Sequence, residues 1–288
     1  MFFSVIVTYH PDVSRVQRMV DVLSSLNVMV VIVDNSEPND DTLDFSSANL
    51  VSLGYNSGIA YAQNIGIAHA IEHNAKGIIF FDQDSHIDES LIAQLISSVD
   101  VSYPLVVAPV FFDEKNGFEY PAILVSQHGL RKKIYPSSWP EPAEVDIVIS
   151  SGSTVNREGL DIIGMMNEDF FIDYVDTEWC LRARARGVSI KVLPDAIMKH
   201  SIGDNSLDLK YFKVPVHSPA RRYYRVRNSF YLLTLPHIPK LLAVREILFA
   251  FLHQTVILCA VNGRRRYLSY FFKALKDAMQ KKKGKISS

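Results

Sequence analysis

Ile78-Ile79-Phe80-Phe81-Asp82-Gln83-Asp84-Ser85 decides how this chain folds. Four bulky apolar residues run without a break into two carboxylates spaced by one. A short, unbroken apolar run reads as a strand buried on both faces. Asp82 and Asp84 then fall where that strand ends, and in open α/β sheets ligands collect outside the carboxyl ends of the strands. Two carboxylates there form a hard, anionic oxygen site suited to Mg²⁺ or Mn²⁺ rather than Zn²⁺. Such an ion would in turn hold phosphates. Asp and Ser are also ordinary strand-exit residues, and D-x-D is a weak motif by itself. For the pair alone, a turn and a metal site therefore stand level.

Upstream, residues 3–8 form a short buried strand and Tyr9-His10-Pro11-Asp12 the turn after it. Val16, Met19, Val20, Leu23 and Leu26 follow at helical spacing, so a helix packs on the sheet. Residues 28–33 make a second buried strand ending in Asp34-Asn35-Ser36. Strand, helix and strand with short connections predict parallel pairing and a right-handed crossover. That places Asp34 at the same sheet edge as Thr8. Residues 50–53 are a third short strand. The glycines of Gly54-Tyr55-Asn56-Ser57-Gly58 then open a helix on which Ala60, Asn64, Ala68 and Ile71 share a face. Small residues allow close approach there, and N–H groups at a helix start favour anions. Tight packing of the helix explains the same residues.

Downstream, residues 87–99 read as a helix and 105–112 as a strand. Residues 113–145 are polar and Pro-rich, and we expect a long loop or irregular hairpin that is a candidate acceptor loop. Its Arg131-Lys132-Lys133 cluster reads as a solvated turn. Residues 145–149 return to strand before Ser150-Ser151-Gly152-Ser153. A helix starts near Asp173 or Asp176 and stops at Gly187, residues 189–193 form a strand, and Lys199-His200-Ser201 leaves the next extended piece.

With 288 residues, 48% of them hydrophobic, the chain can bury a full core. Cys180 and Cys259 are the only cysteines, which excludes a disulfide framework or a Cys-based zinc site. The opening Met1-Phe2-Phe3-Ser4-Val5 lacks a basic region and reads as a first strand, not a signal peptide. The net charge of −1 hides a division: residues 201–288 hold 17 Lys and Arg against 4 Asp and Glu, a balance of +13. That basic part suggests an anionic surface or ligand near the C-terminus. Residues 241–261 are apolar but contain Arg245, Glu246, His253 and Gln254, a poor transmembrane pattern. Amphipathic helices fit better. Arg264, Arg265, Arg266, Lys273 and Lys276 interleave with large apolar residues, as in a helix lying in a membrane interface.

Taken together, Val5-Ile6-Val7-Thr8-Tyr9, Asp34, Asn56-x-Gly58 to Asn64-x-Gly66, Asp82-x-Asp84 and Asp176-Thr177-Glu178 follow the order seen in inverting family 2 glycosyltransferases. The chain resembles the rhamnosyltransferase branch most closely, through Phe81-Asp82-Gln83-Asp84-Ser85, Asp173-Tyr174-Val175-Asp176-Thr177-Glu178-Trp179 and Arg222-Tyr223-Tyr224-Arg225-Val226-Arg227-Asn228. The resemblance spans residues 3–230. It implies an α/β GT-A fold, a mainly parallel mixed sheet flanked by helices over residues 1–215, with residues 216–288 a basic, aromatic helical extension. It implies a nucleotide-sugar donor, dTDP-L-rhamnose. Thr8 and Asp34 would hold base and ribose; Asn56, Gly58 and Asn64 would line the nucleotide and diphosphate. Asp82 would contact the donor, and Asp82, Asp84 and His200 would hold a divalent cation. Arg222 and Arg225 would face the diphosphate. Asp176 matches the base and Glu178 its neighbouring carboxylate. The typical member carries Glu-Asp where this chain has Val175-Asp176, so Asp173 and Glu178 stay beside Asp176 as alternatives. A saccharide or lipid-linked acceptor at the inner face of the cytoplasmic membrane completes the expectation.

Other readings remain. The same mechanism could take a UDP-sugar donor. A nucleotidyltransferase would carry a Gly-rich, basic loop where this chain has Thr8-Tyr9-His10-Pro11-Asp12. A non-catalytic membrane-surface module would not need Asp82, Asp84 and Asp176 together. Nucleic-acid binding lacks a recognisable reading motif in the basic tail.

Overall fold

The computed structural model describes residues 1–38, 43–113, 117–199, 206–209, 212–215, 217–261 and 263–287. The strands are β1 (Phe2–Thr8), β2 (Met29–Asp34), β3 (Ala48–Ser52), β4 (Gly77–Asp82), β5 (Leu105–Asp113), β6 (Phe118–Tyr120), β7 (Ala122–Val125), β8 (Arg131–Ile134), β9 (Ala143–Val145), β10 (Thr154–Asn156), β11 (Ser189–Lys199), β12 (Ser206–Leu209) and β13 (Phe212–Pro215). The helices are α1 (Val13–Ser25), α2 (Ile59–Glu72), α3 (Glu89–Val99), α4 (Arg157–Ile163), α5 (Val175–Ala185), α6 (Pro219–Leu232), α7 (Lys240–Ala260) and α8 (Arg264–Met279). One mixed sheet runs β3-β2-β1-β4-β10-β5-β11-β9, with β6 on β5. β1, β2, β3 and β4 pair in parallel, as do β5 and β11, while β10 lies antiparallel between β4 and β5.

β4 is the centre of this sheet because its residues serve both faces. Ile78 and Phe80 join one apolar core with α2 and α5; Ile79 and Phe81 join the other with α1 and α3. This is the pleat's alternation with an apolar residue at every step. α1 buries Val16, Met19, Val20 and Leu23, and Asp12 caps it by accepting from the Arg15 N–H. The small residues of α2 have a packing use: a Cβ on Gly66 would sit 2.4 Å from Val5 Cγ1.

Two expectations need correction. Residues 113–145 carry strands: β6 on β5, a β7–β8 ribbon, and β9 on β11. Arg131-Lys132-Lys133 is therefore strand, not a turn. Beyond β9 only Ile147 bridges, to Ile123, and the strand inserted in the sheet is the three-residue β10. The C-terminal helices pack on the sheet domain. Leu232, Ile238, Leu242 and Ala243 lie in the same core as Phe80.

α7 has an inverted character. It has 21 residues, and an 18-residue stretch of it has a mean hydropathy of 1.7, long and apolar enough to cross a bilayer by length and composition. Yet Glu246 and Gln254 are among its buried residues, while Leu241, Val244, Leu248 and Leu252 are exposed. The polar residues that spoil the span in sequence turn towards the protein.

Candidate active site

Parallel pairing brings the ends of β1, β2 and β4 to one edge. Thr8 sits beside Asp34, and Val7 beside Asp82. The Thr8 hydroxyl donates to Asp34 Oδ1 at 2.8 Å, and the Ser36 hydroxyl donates to the same oxygen at 2.8 Å. Gln83, between the two aspartates, ties β4 to β1: the Tyr9 N–H donates to its Oε1 at 2.6 Å, and its Nε2 donates to the Tyr9 carbonyl at 3.1 Å. Asp82 is half-buried and Asp84 exposed. Burial, then the charges of Asp84 and Asp176, push the Asp82 carboxyl up to about 6, and Arg221 opposes them. The cleft thus concentrates negative charge at the end of β4.

The segment before α2 is built from amides. Asn35 Oδ1 accepts from the Ser57 N–H at 2.7 Å, and Asn56 Oδ1 accepts from the Gly58 N–H at 3.1 Å. Gly58 has φ 89°, and a Cβ there would lie 2.6 Å from the Phe171 carbonyl oxygen. The Ile59 N–H donates to that same carbonyl at 2.8 Å. Asn56 and Gly58 therefore shape this sheet edge and join it to the 171–178 segment. Asn64 is placed otherwise than expected. It is buried, donates to Met166 O and Glu168 Oε1 at 3.0 and 2.7 Å, and accepts from the Met166 N–H at 2.8 Å. Its amide is committed to a neighbouring loop at both ends.

The 171–174 segment is strained. Phe171, Asp173 and Tyr174 have φ of 63°, 63° and 66°, left-handed values costly for residues with a Cβ. α6 holds them there. Asn228 Nδ2 donates to the carbonyls of Phe170, Ile172 and Asp173 at 2.8, 2.8 and 3.2 Å, and Arg227 Nη2 donates to the carbonyls of Asp169 and Phe170. The Tyr174 hydroxyl, kept neutral by burial, donates to Glu246 Oε2 on α7 at 3.1 Å. Asn228→Ala is expected to destabilise the fold by about 2–4 kcal/mol, because it strips buried carbonyls of their donor. Urea denaturation would read that loss, and donor turnover should fall with it as Asp173 and Tyr174 relax.

The three candidate carboxylates of this segment separate clearly. Asp173 lies 3.6 Å from Arg221 and 3.7 Å from Arg225. Glu178 is buried; Arg182 clasps both its oxygens at 2.9 and 2.8 Å, and His237 Nε2 lies 2.9 Å away. Although burial opposes it, these partners hold the Glu178 carboxyl below its ordinary range. The expectation of Glu178 as a catalytic carboxylate is corrected on this ground, since both oxygens are spent on the fold. Among the described residues Asp176 accepts from Thr177 alone, at 2.7 Å from its N–H, and it lines a pocket of about 250 Å³. Burial raises its carboxyl.

α6 also sorts its arginines. Arg221 and Arg225, four apart, share the face turned to Asp173. Arg222 is buried in the helical bundle, where it donates to the Ala250 carbonyl, and burial followed by the charge of Arg225 lowers it to about 10. Arg222 is thus corrected from diphosphate contact to bundle packing. Arg221, which sequence reasoning missed, stands with Arg225 beside Asp173 instead; the i, i+4 spacing to Arg225 was the available signal. His200 lies outside the described residues.

The donor set at β4 fits a hard divalent ion. Two carboxylates meet there, one raised by the other's charge, a repulsion that a cation would relieve. Among the described residues no group of three His, Cys, Asp or Glu could hold a metal. Asp82 and Asp84 would therefore share the ion with ligand oxygens, as Mg²⁺ sites at phosphates do.

A sheet edge of this kind suits an enzyme that grips a nucleotide-sugar by its diphosphate, and the surrounding fold is GT-A. Solved structures agree on the fold: residues 1–349 of S. aureus TarS superpose with a TM-score of 0.56 at 19% identity, covering 97% of this chain and 80% of that one. The TarS 1–349 complex with UDP-GlcNAc gives a TM-score of 0.54 at 17% identity, over 97% and 81%. The family model "Glycosyl transferase family 2" matches residues 4–158. The chain belongs to glycosyl transferase family 2. It is 41% identical to the dTDP-rhamnosyl transferase RfbF of Shigella flexneri over 281 residues, 96% of this chain and 95% of that protein. It is 22% identical to the low-salt glycan biosynthesis hexosyltransferase Agl10 of Haloferax volcanii over 218 residues, 72% and 70% of the two chains.

Proposed function

We propose that the chain is an inverting rhamnosyltransferase, moving L-rhamnose from dTDP-L-rhamnose to a saccharide acceptor in bacterial surface-polysaccharide synthesis such as O-antigen. What carries this reading is the meeting of Asp82, Asp84 and Asp176 in one electrostatically coupled cleft, in a chain 41% identical to a dTDP-rhamnosyl transferase along nearly its whole length. Thr8, Asp34, Asn56 and Gly58 form the nucleoside side of the site. Asp82 and Asp84 would hold Mg²⁺ or Mn²⁺ at the donor diphosphate, Asp84 being the more accessible of the two. When bound, that ion neutralises charge developing on the leaving phosphate oxygens. Arg221 and Arg225 add positive charge on the same side. Asp176 accepts the proton of the acceptor hydroxyl as it attacks the anomeric carbon from the opposite face. A single displacement of this kind inverts the centre.

Residues 216–288 form the helical extension of the 1–215 transferase domain. The outward leucines of α7 and the basic residues of α8 suit the anionic inner face of the cytoplasmic membrane and a polyprenyl-diphosphate-linked acceptor.

A donor-hydrolysis screen tests the proposal, using dTDP-rhamnose and a panel of UDP-sugars with and without Mn²⁺ or Mg²⁺. Metal-dependent turnover of dTDP-rhamnose alone is expected. Turnover of a UDP-sugar instead would keep the mechanism and discard the donor, and failure to bind any nucleotide with metal would count against both.

A further inference from the structure

Asp176 stands between two environments. On one side its charge acts on Asp82, where the strand ends gather. On the other it lines the pocket of about 250 Å³, and neither Asp82 nor Asp84 lines that pocket. A base must touch the acceptor hydroxyl on the face of the donor sugar opposite the leaving diphosphate. The pocket is therefore placed for the acceptor. It lies below the roughly 300–1,000 Å³ of drug-sized sites, which suits one sugar unit rather than a long oligosaccharide.

The walls say more. Pro109, Phe111, Pro121 and Ile147 are apolar, and Tyr120 offers a ring. Against them stand Arg131 and Lys133. Strand alternation puts these two on one face of β8, with Lys132 and the buried Ile134 on the other. Arg131 is fixed by an ion pair of 2.9 Å to Glu246 of α7. Lys133 is exposed and has no ion-pair partner among the described residues. The cationic wall thus hangs on the helix whose outer face exposes Leu248 and Leu252.

We infer that this pocket is the acceptor subsite for a phosphate-bearing saccharide, the sugar seated against the apolar wall beside Asp176 and its phosphate held by Arg131 and Lys133. The inference deepens the transferase reading and rests on it. α7 carries the fixed partner of Arg131, so a phosphate anchored in the membrane surface meets the cations where the protein meets that surface.

The test uses the full chain saturated with dTDP in excess Mg²⁺, titrated calorimetrically with decyl diphosphate and, separately, with inorganic pyrophosphate. Decyl diphosphate should bind, and Lys133→Gln should weaken it about tenfold or more, the loss of one charge-assisted hydrogen bond. Lys132→Gln, on the opposite face of β8, should change it by less than about twofold. Comparable binding of pyrophosphate would make the phosphate itself the recognised group; much tighter decyl diphosphate would add contacts from the lipid chain. Absence of binding by either probe, an unchanged affinity in Lys133→Gln, or an equal loss in Lys132→Gln would overturn the subsite. Neither probe contains a sugar or needs turnover, so an error in the donor sugar leaves this result standing.

Discussion

Asp176→Asn is expected to lower kcat for sugar transfer about 10³-fold, within the range that general-base groups supply, while donor affinity stays within about twofold. The substitution keeps the shape of the site. An Asn oxygen can still accept from the Thr177 N–H that Asp176 Oδ1 now accepts from at 2.7 Å. What disappears is a carboxylate able to take a proton. Burial sets the Asp176 carboxyl above its ordinary range. The acidic limb of the kcat/KM profile of the unaltered enzyme should therefore lie above ordinary carboxylate values, and the residual activity of Asp176→Asn should lack that limb. Glu178→Gln gives the contrast. Arg182 and His237 would lose a charged partner, so stability should fall more than chemistry. Dissociation constants for dTDP measured beside kcat separate the cases; a normal kcat in Asp176→Asn would move the base elsewhere.

The difference between Asp176 and Glu178 also shows what a sequence can carry. Both sit in the first turn of α5, but only Glu178 has a cation four residues on, at Arg182. Arg182 was thus a local signal for Glu178; its other partner, His237, lies 59 residues further along the chain. Asn64 is claimed by Met166, 102 residues away, and Arg222 by Ala250, 28 residues away. Partners so distant leave no local trace. Where the physics is local, the reading holds: the unbroken run 78–81 gave a strand buried on both faces, and the turn after each parallel strand brought Thr8, Asp34 and Asp82 to one edge. β10 and the β7–β8 ribbon escaped because strands of three or four residues are too short to display a period of two. α7 shows long-range partners again. Its charges argued against a transmembrane span, and folding turns one of them, Glu246, inward onto Tyr174 and Arg131.

Asp82 should present a trade between stability and activity. In the metal-free protein its carboxyl is pushed to about 6 by burial and by Asp84 and Asp176. A raised carboxyl contributes stability below its unfolded value near 3.8, and that contribution is lost as pH rises through about 6. At pH 7.5 the metal-free protein therefore carries an unrelieved charge. Asp82→Asn should stabilise it by about 1–2 kcal/mol at that pH, the full linkage being discounted because the side chain is half-buried, and should give no gain below about pH 4. The same change should lower donor turnover about 10²–10³-fold, the cost of losing one electrostatic stabiliser of the leaving group. Asp84→Asn should lower turnover as much. It removes the charge that raises Asp82, so it too should relieve the metal-free protein. In the unaltered protein, Mn²⁺ should raise the Tm at pH 7.5, and that rise should fade as pH drops through 6, because a carboxylate must shed its proton before it can serve as a ligand. Thermal denaturation across pH 4–8, with and without Mn²⁺, reads all of these effects together. A Tm rise that ignores both substitutions would place the ion somewhere other than the end of β4.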